Sequence, residues 1–304
     1  MDSASTSSLN NILMESGLDL FSKFNNESKQ MSNLEELDPK LLPNLQTNSI
    51  VEISGASRTG KSILVLKYIT KSILPISYEN INIQGLGLNV LLVDMELKFS
   101  VRILMEEMEH YLKQCLDKES INSGDKPHPD HSESKPTKTN LHLISDIIQD
   151  SLARLQVTFC HSTSDNLALI FQNIETRILS KQLNLDIVFI ENLLNFYFED
   201  VSVQICSIAK YVHKLLTQCV LKYLSKFNTV LIYTRYIEHG RGRIPSGLVT
   251  HSVQLSNINY NRIHKCLVNC EQVTYYRIER QELMWTEFNE AQLEGDDENE
   301  DDTL

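Results

Sequence analysis

The chain has 304 residues, 41% hydrophobic and 22% charged. That composition excludes a fibrous or wholly disordered protein and leaves room for one large domain or two small ones. No apolar run reaches about 18 residues and the Ser-rich start lacks the basic-then-apolar order of a secretory leader, so neither a membrane span nor secretion is expected. Of the net charge of −12, nine carboxylates fall from Glu287 onward with no Lys or Arg among them, so the remainder carries only about −3. A body so near neutral does not exclude nucleic acid, and it lacks the basic footprint of a strong autonomous DNA binder.

Residues 9–24 place Leu9, Ile12, Leu13, Leu20, Phe21 and Phe24 at helical intervals, which predicts a short amphipathic helix interrupted near Gly17. Its apolar stripe has two readings, packing on its own domain or docking on a partner. Residues 25–48 are polar with Pro39 and Pro43, a connector, so 1–48 form an N-terminal segment ahead of a domain over 49–288.

From Ile50 the pattern alternates. Ile50–Ser54 reads as a strand, a glycine loop follows, and Ile63, Leu64, Leu66, Ile69 and Ile73 mark a helix stopped by Pro75. Asn89–Asp94 is a second strand. Val101, Leu104, Met105, Met108, Tyr111, Leu112 and Cys115 then recur at spacings of three and four, an amphipathic helix. Residues 117–140 are rich in Ser, Asp, Lys, His and Pro and read as a flexible insertion, with His128 and His131 as solvated loop residues. A strand near Leu155–Cys160 precedes a helix from about Asn166 to Ser180 with Ser164 as its cap. An apolar strand Leu185–Ile190, a helix carrying Ile205, Ile208, Val212, Leu215, Cys219 and Tyr223, and a strand Thr229–Thr234 follow. Ile263–Val268, Val273–Ile278 and Leu283–Phe288 read as antiparallel strands, and 289–304 as an acidic disordered tail.

Apolar strands alternating with helices predict an α/β fold: a mixed, mostly parallel sheet with helices on both faces and trailing antiparallel strands, its ligand site at the carboxyl ends of the strands. The six cysteines mostly fall in apolar stretches and read as reduced core thiols. Cys266, Cys270 and His264 match no common zinc spacing, and strand alternation alone would put the two cysteines on one face.

Gly55-Ala56-Ser57-Arg58-Thr59-Gly60-Lys61-Ser62 is a complete P-loop pattern between a predicted strand and a predicted helix. The glycines let backbone wrap a polyphosphate closely, the amides and the helix N-terminus supply the anion site, Lys61 reaches the β/γ-phosphates, and Ser62 offers a hydroxyl to Mg²⁺. The expected cofactors are therefore ATP and Mg²⁺. The strand Ile187–Ile190 ends in Glu191 as the candidate Mg²⁺ carboxylate, and Glu96, just past the second strand, is the candidate for orienting an attacking water. The alternative for both acids is a cap at a strand end.

These segments resemble the RecA-like eukaryotic recombinase paralogues, most of all the X-ray-repair cross-complementing branch, its smallest. The resemblance rests on Val51–Ser62, on Glu15-Ser16-Gly17 with Leu18 and Leu20, on Leu37-Asp38-Pro39, Ile73-Leu74-Pro75 and Val90–Asp94 with Phe99 and Leu104. Phe159–Ser162 and Ile187–Asn192 with Phe196 and Tyr197 follow in the same order, so that it spans about residues 15–288. It implies a RecA-like P-loop NTPase core without the recombinases' helical DNA-binding domain. It implies a nuclear DNA-repair subunit that joins other recombinase paralogues in a hetero-oligomer, binds single-stranded or branched DNA through that complex, and supports recombinase filaments at double-strand breaks and stalled forks. The family's Walker-B Asp is replaced by Glu191, and its nucleotide-sensing Gln falls where Arg235 or Tyr236 stands, departures that leave at most a weak ATPase. The DNA-contacting loop would lie in 239–247, where Arg241 and Arg243 sit between glycines, either touching phosphates or forming a solvated basic turn. The alternative is an autonomous P-loop enzyme, a DNA-dependent ATPase.

Overall fold

The computed structural model describes residues 33–79, 81–122, 138–161, 163–201, 207–237, 247–258, 262–279 and 282–288. The N-terminal stripe, Arg241 and Arg243 and the acidic tail lie outside the described residues.

The described residues between Asn33 and the C-terminal strands belong to one compact unit. Leu34, Leu37, Leu41, Leu42 and Leu45 are buried, and Tyr68 donates to Asp38 at 2.9 Å, so this end of the polar connector is packed on the domain by its leucines.

Nine strands form a single sheet: β1 (Ile50–Gly55), β2 (Val90–Asp94), β3 (Leu155–Phe159), β4 (Ile187–Glu191), β5 (Val230–Tyr236), β6 (His251–Asn257), β7 (Ile263–Val268), β8 (Gln272–Glu279) and β9 (Glu282–Thr286). Their order is β9-β8-β7-β6-β1-β5-β4-β2-β3. β6 through β3 run parallel, and β7, β8 and β9 add antiparallel strands beyond β6. This is the mixed, mostly parallel α/β sheet that the alternating pattern predicts, consistent with a RecA-like fold. The central strands are buried along nearly their whole length because both faces are covered, which is why they read as continuous apolar runs rather than alternating ones.

The helices are α1 (Lys61–Ile73), α2 (Val101–Asn122), α3 (Lys138–Leu152), α4 (Ser164–Leu179) and α5 (Tyr197–Val201). The last, α6, runs Ile208–Lys214, widens into a π-helix over Leu215–Leu221 and closes at Lys222–Leu224. On one face, Phe171 and Ile174 of α4 and Val212, Leu216 and Val220 of α6 pack with Leu91, Val93, Val188, Ile190 and Leu231. The alternate residues Leu92, Phe189 and Ile232 are equally buried on the other face, toward α1. α1 buries Leu64, Tyr68, Ile69 and Ile73 and ends where Pro75 holds Leu74 extended. α2 buries Leu104, Met108, Leu112 and Cys115, while Val101 and Met105 of the same predicted stripe stay exposed.

Three elements differ from the sequence expectation. The stretch 117–140 is helical at both ends, as the close of α2 and the opening of α3, whose Ile144, Ile147 and Ile148 are buried. β6 was not expected. It alternates buried His251, Val253 and Leu255 with half-buried Ser252, Gln254 and Ser256, and it is where the sheet changes direction. Ser164 is the first helical residue of α4, and Thr163 holds the cap position without a side-chain bond.

Candidate functional site

Gly55 closes β1 and Lys61 opens α1, so the eight-residue loop sits at a strand-to-helix junction at the carboxyl edge of the parallel strands. A Cβ on Gly55 would stand 2.3 Å from the Leu255 carbonyl oxygen and 2.7 Å from Thr59 Oγ1, so the close approach of β6 admits only glycine. Arg58 and Gly60 take left-handed φ values of 62° and 87°, which turn the chain into the helix. The Thr59 hydroxyl donates to the Ala56 carbonyl at 2.9 Å, and the Tyr276 phenol of β8 donates to the Thr59 carbonyl at 2.7 Å. Ser57, Arg58 and Ser62 face solvent. Because α1 starts at Lys61, the first-turn amides have no intrahelical acceptor and remain available to an anion.

Lys61 lies back across the loop. Its Nζ donates to the Gly55 carbonyl at 2.8 Å and the Ala56 carbonyl at 2.7 Å. Burial lowers its pKa to about 8, against the opposing pull of Glu96 and Glu191. Tyr236, at the end of β5 and in register with Gly55, holds its ring 5.8 Å from the Lys61 ammonium.

The acids divide by role. β2 and β4 are neighbours with Asp94 opposite Glu191, so their ends lie side by side. Asp94 is fully buried and accepts amide bonds from Glu96 and Leu97 at 2.9 Å and from Phe99 at 2.8 Å. It is a turn cap, and the turn it makes brings Glu96 round to line the cleft. Glu96 accepts from the Asn192 side-chain amide and pairs with Lys98 at 2.9 Å. Asn192 itself is held at φ 57°, its amide bonded to Thr234 Oγ1 at 2.7 Å. Glu191 ends β4 and is half-buried. Burial raises its pKa and the nearby Asp94 and Glu96 add to the rise. Ser62, Glu96 and Glu191 therefore line one cleft of about 980 Å³, together with Lys98, Phe99 and Ile103.

These residues suit a magnesium–polyphosphate. The loop presents amides where glycine leaves no side chain. Ser62 and Glu191 line the same cleft and could give a hard cation two oxygen ligands, leaving its other positions to phosphate and water. Among the described residues there is no cluster of three or more His, Cys, Asp or Glu able to hold a metal by themselves. Cys266 is buried in β7, and Cys270 stands exposed in the turn before β8 rather than on the same strand face. Its φ there is 62°.

Of the two residues expected near the nucleotide-sensing position, Tyr236 faces the loop. Arg235 is turned into the sheet, where it pairs with Glu52 at 2.7 Å, and Tyr233 donates to the other Glu52 oxygen at 2.7 Å. Sequence reasoning missed Asn192, although a polar residue directly after a strand-end acid was a usable signal. It also missed Tyr276, whose contact with Thr59 spans 217 positions and leaves no local trace.

No family model matches the chain. A DNA repair protein XRCC2 homolog of Arabidopsis thaliana is 34% identical over 71 residues, which cover 23% of this chain and 19% of that protein. The chain thus spans about a fifth of the length of the curated relative it matches. Among the described residues no helix is long and apolar enough to cross a membrane.

Proposed function

We propose that this chain is a nuclear DNA-repair accessory subunit of a recombinase-paralogue complex, one that holds Mg·ATP on the Gly55–Ser62 loop. It supports homologous recombination and recombinase filament assembly at double-strand breaks and stalled forks. The observation that carries this reading is the placement of Lys61 and Ser62 at the mouth of α1, on the carboxyl edge of a parallel sheet, with Glu191 lining the same cleft as Ser62. The partial likeness to a DNA-repair protein and the family resemblance of the sequence supply the biological class.

Bound ATP would supply a polyphosphate whose charge is shared among the loop amides, Lys61 and the metal. Lys61 gives up its two carbonyl partners to meet it. Ser62 and Glu191 would hold Mg²⁺, with the Tyr236 ring beside the lysine ammonium. In a subunit of this kind the nucleotide stabilises the folded, assembly-competent state by mass action. The partners are other recombinase paralogues, and single-stranded or branched DNA is reached through the complex, with Arg241 and Arg243 as phosphate contacts. Affinity purification of the full chain from cells tests the class. Recovery of recombinase paralogues is expected, and their absence from a purification that retains other partners would overturn the assignment.

One observation favours a second reading, an autonomous DNA-dependent ATPase: Glu96 is held by Asn192 in the same cleft as Ser62. Glu96→Gln separates the two. An accessory subunit with low turnover scarcely changes. An enzyme loses about 100-fold or more in kcat.

A further inference from the structure

The hydrogen bonds that hold the loop's own carbonyls come from few places. Among the described residues, the side chains bonded to the backbone of residues 55–60 are Thr59 itself, Lys61 and Tyr276. Lys61 is the group that must leave those carbonyls to meet a phosphate, so its two bonds disappear when the loop is used. Tyr276 remains. Its side chain is fully buried in the middle strand of the antiparallel extension, with cross-strand neighbours His264 in β7 and Trp285 in β9. The His264 ring stacks on it at 5.0 Å and the Trp285 ring meets it edge-on at 5.8 Å. A ring fixed on both sides can aim its hydroxyl at one carbonyl at little entropic cost. The same extension touches the loop again at Gly60, where a Cβ would meet Leu283 Cδ2 at 3.0 Å and Ile278 Cδ1 at 3.4 Å.

We infer that Tyr276 is a positioning residue for the phosphate loop, and that β8 and β9 are the loop's rigid outer wall rather than a mere continuation of the sheet. The inference rests on the reading of Gly55–Ser62 as an ATP cradle. The phenol acts through Thr59, fixing the peptide that joins Thr59 to Gly60 and so the direction of the amides next to it. Occupancy of the loop and order in the extension are then linked, and the linkage is reciprocal: whatever Tyr276 contributes to Mg·ATP affinity, Mg·ATP returns to the stability of β8 and β9.

The test is Mg·ATP titration calorimetry on the full chain, comparing wild type, Tyr276→Phe and Phe171→Leu. Tyr276→Phe deletes only the hydroxyl. Phe171→Leu opens a gap in the α4 core and serves as the destabilising control. Wild type is expected to bind and Tyr276→Phe to bind about tenfold more weakly. Phe171→Leu should keep its affinity within about twofold despite a lowered melting temperature. In wild type, Mg·ATP should also slow amide exchange across residues 272–286, a readout that decides the matter even if Tyr276→Phe does not fold. Equal affinity for Tyr276→Phe and wild type, an equal loss in Phe171→Leu, or ligand protection that stops short of β8 and β9 would each overturn the inference while leaving the ATP cradle standing. Failure of wild type itself to bind would remove the cradle and the inference together.

Discussion

Arg235→Met isolates the effect of the buried pair that ties β1 to β5 just ahead of the loop. The Glu52 and Arg235 side chains are 6% and 3% exposed and meet at 2.7 Å, in strands whose register sets Ser54 against Arg235 and Gly55 against Tyr236. Methionine fills similar space and removes the charge, leaving the Glu52 carboxylate inside the sheet with the Tyr233 hydroxyl as its remaining named partner. Breaking one side of such a pair costs about 3–5 kcal/mol, because the residual charge is desolvated without compensation. For a domain of this size that is a fall in melting temperature on the order of 10 °C. The assay is urea or thermal unfolding followed by circular dichroism, run on wild type, Arg235→Met and the double variant Glu52→Gln/Arg235→Met. The double variant is expected to recover most of the loss, since no unpaired charge remains. A loss below about 1 kcal/mol for the single variant, the value of a solvated surface pair, or a double variant worse than the single one, would refute the argument that this pair is buried and matched.

Two further outcomes follow from the titrating groups. Burial holds Lys61 at about 8, and a bound polyphosphate favours its charged form, so binding takes up a proton above that pH. Mg·ATP affinity should be greatest below about pH 8 and fall as pH rises beyond it, with Lys61→Arg flattening the profile in calorimetry. His264 is buried, its Nδ1 has no hydrogen-bond partner among the described residues, and burial lowers its pKa from 6.5. The unfolded chain therefore takes a proton before the folded one. Stability should fall as pH drops through about 6.5 and level off below the folded pKa, with His264→Phe removing that component from melting temperatures measured at pH 7.5 and 5.5.

The architecture was legible wherever a segment carried its own period. The central strands announce themselves as short apolar runs and α1 by its three-and-four spacing, because burial on two faces and burial on one stripe leave different marks. β6 went unseen although His251, Val253 and Leu255 alternate with polar residues. Its outward positions are only half-buried, and the neighbouring 239–247 stretch reads as loop. α3 was hidden by the polar insertion beside it, although Ile144, Ile147 and Ile148 keep helical spacing. The site was legible as far as contiguous sequence reaches: Gly55 to Ser62 is one motif, and Glu96 and Glu191 are strand-end acids. Asn192's grip on Glu96 and Tyr276's bond to Thr59 depend on register and sheet order, which no local pattern encodes. Arg235 shows the same limit from the other side. An arginine near a presumed nucleotide invites a phosphate role, and its partner proves to be a glutamate 183 positions away.

The most direct measurement is equilibrium binding of Mg·ATP to the full chain and to Lys61→Ala. The loop geometry predicts saturable binding by wild type and loss of it in a Lys61→Ala protein that still folds. Equal affinity in the two proteins, or no binding by wild type, would contradict the claim that residues 55–62 close around a polyphosphate.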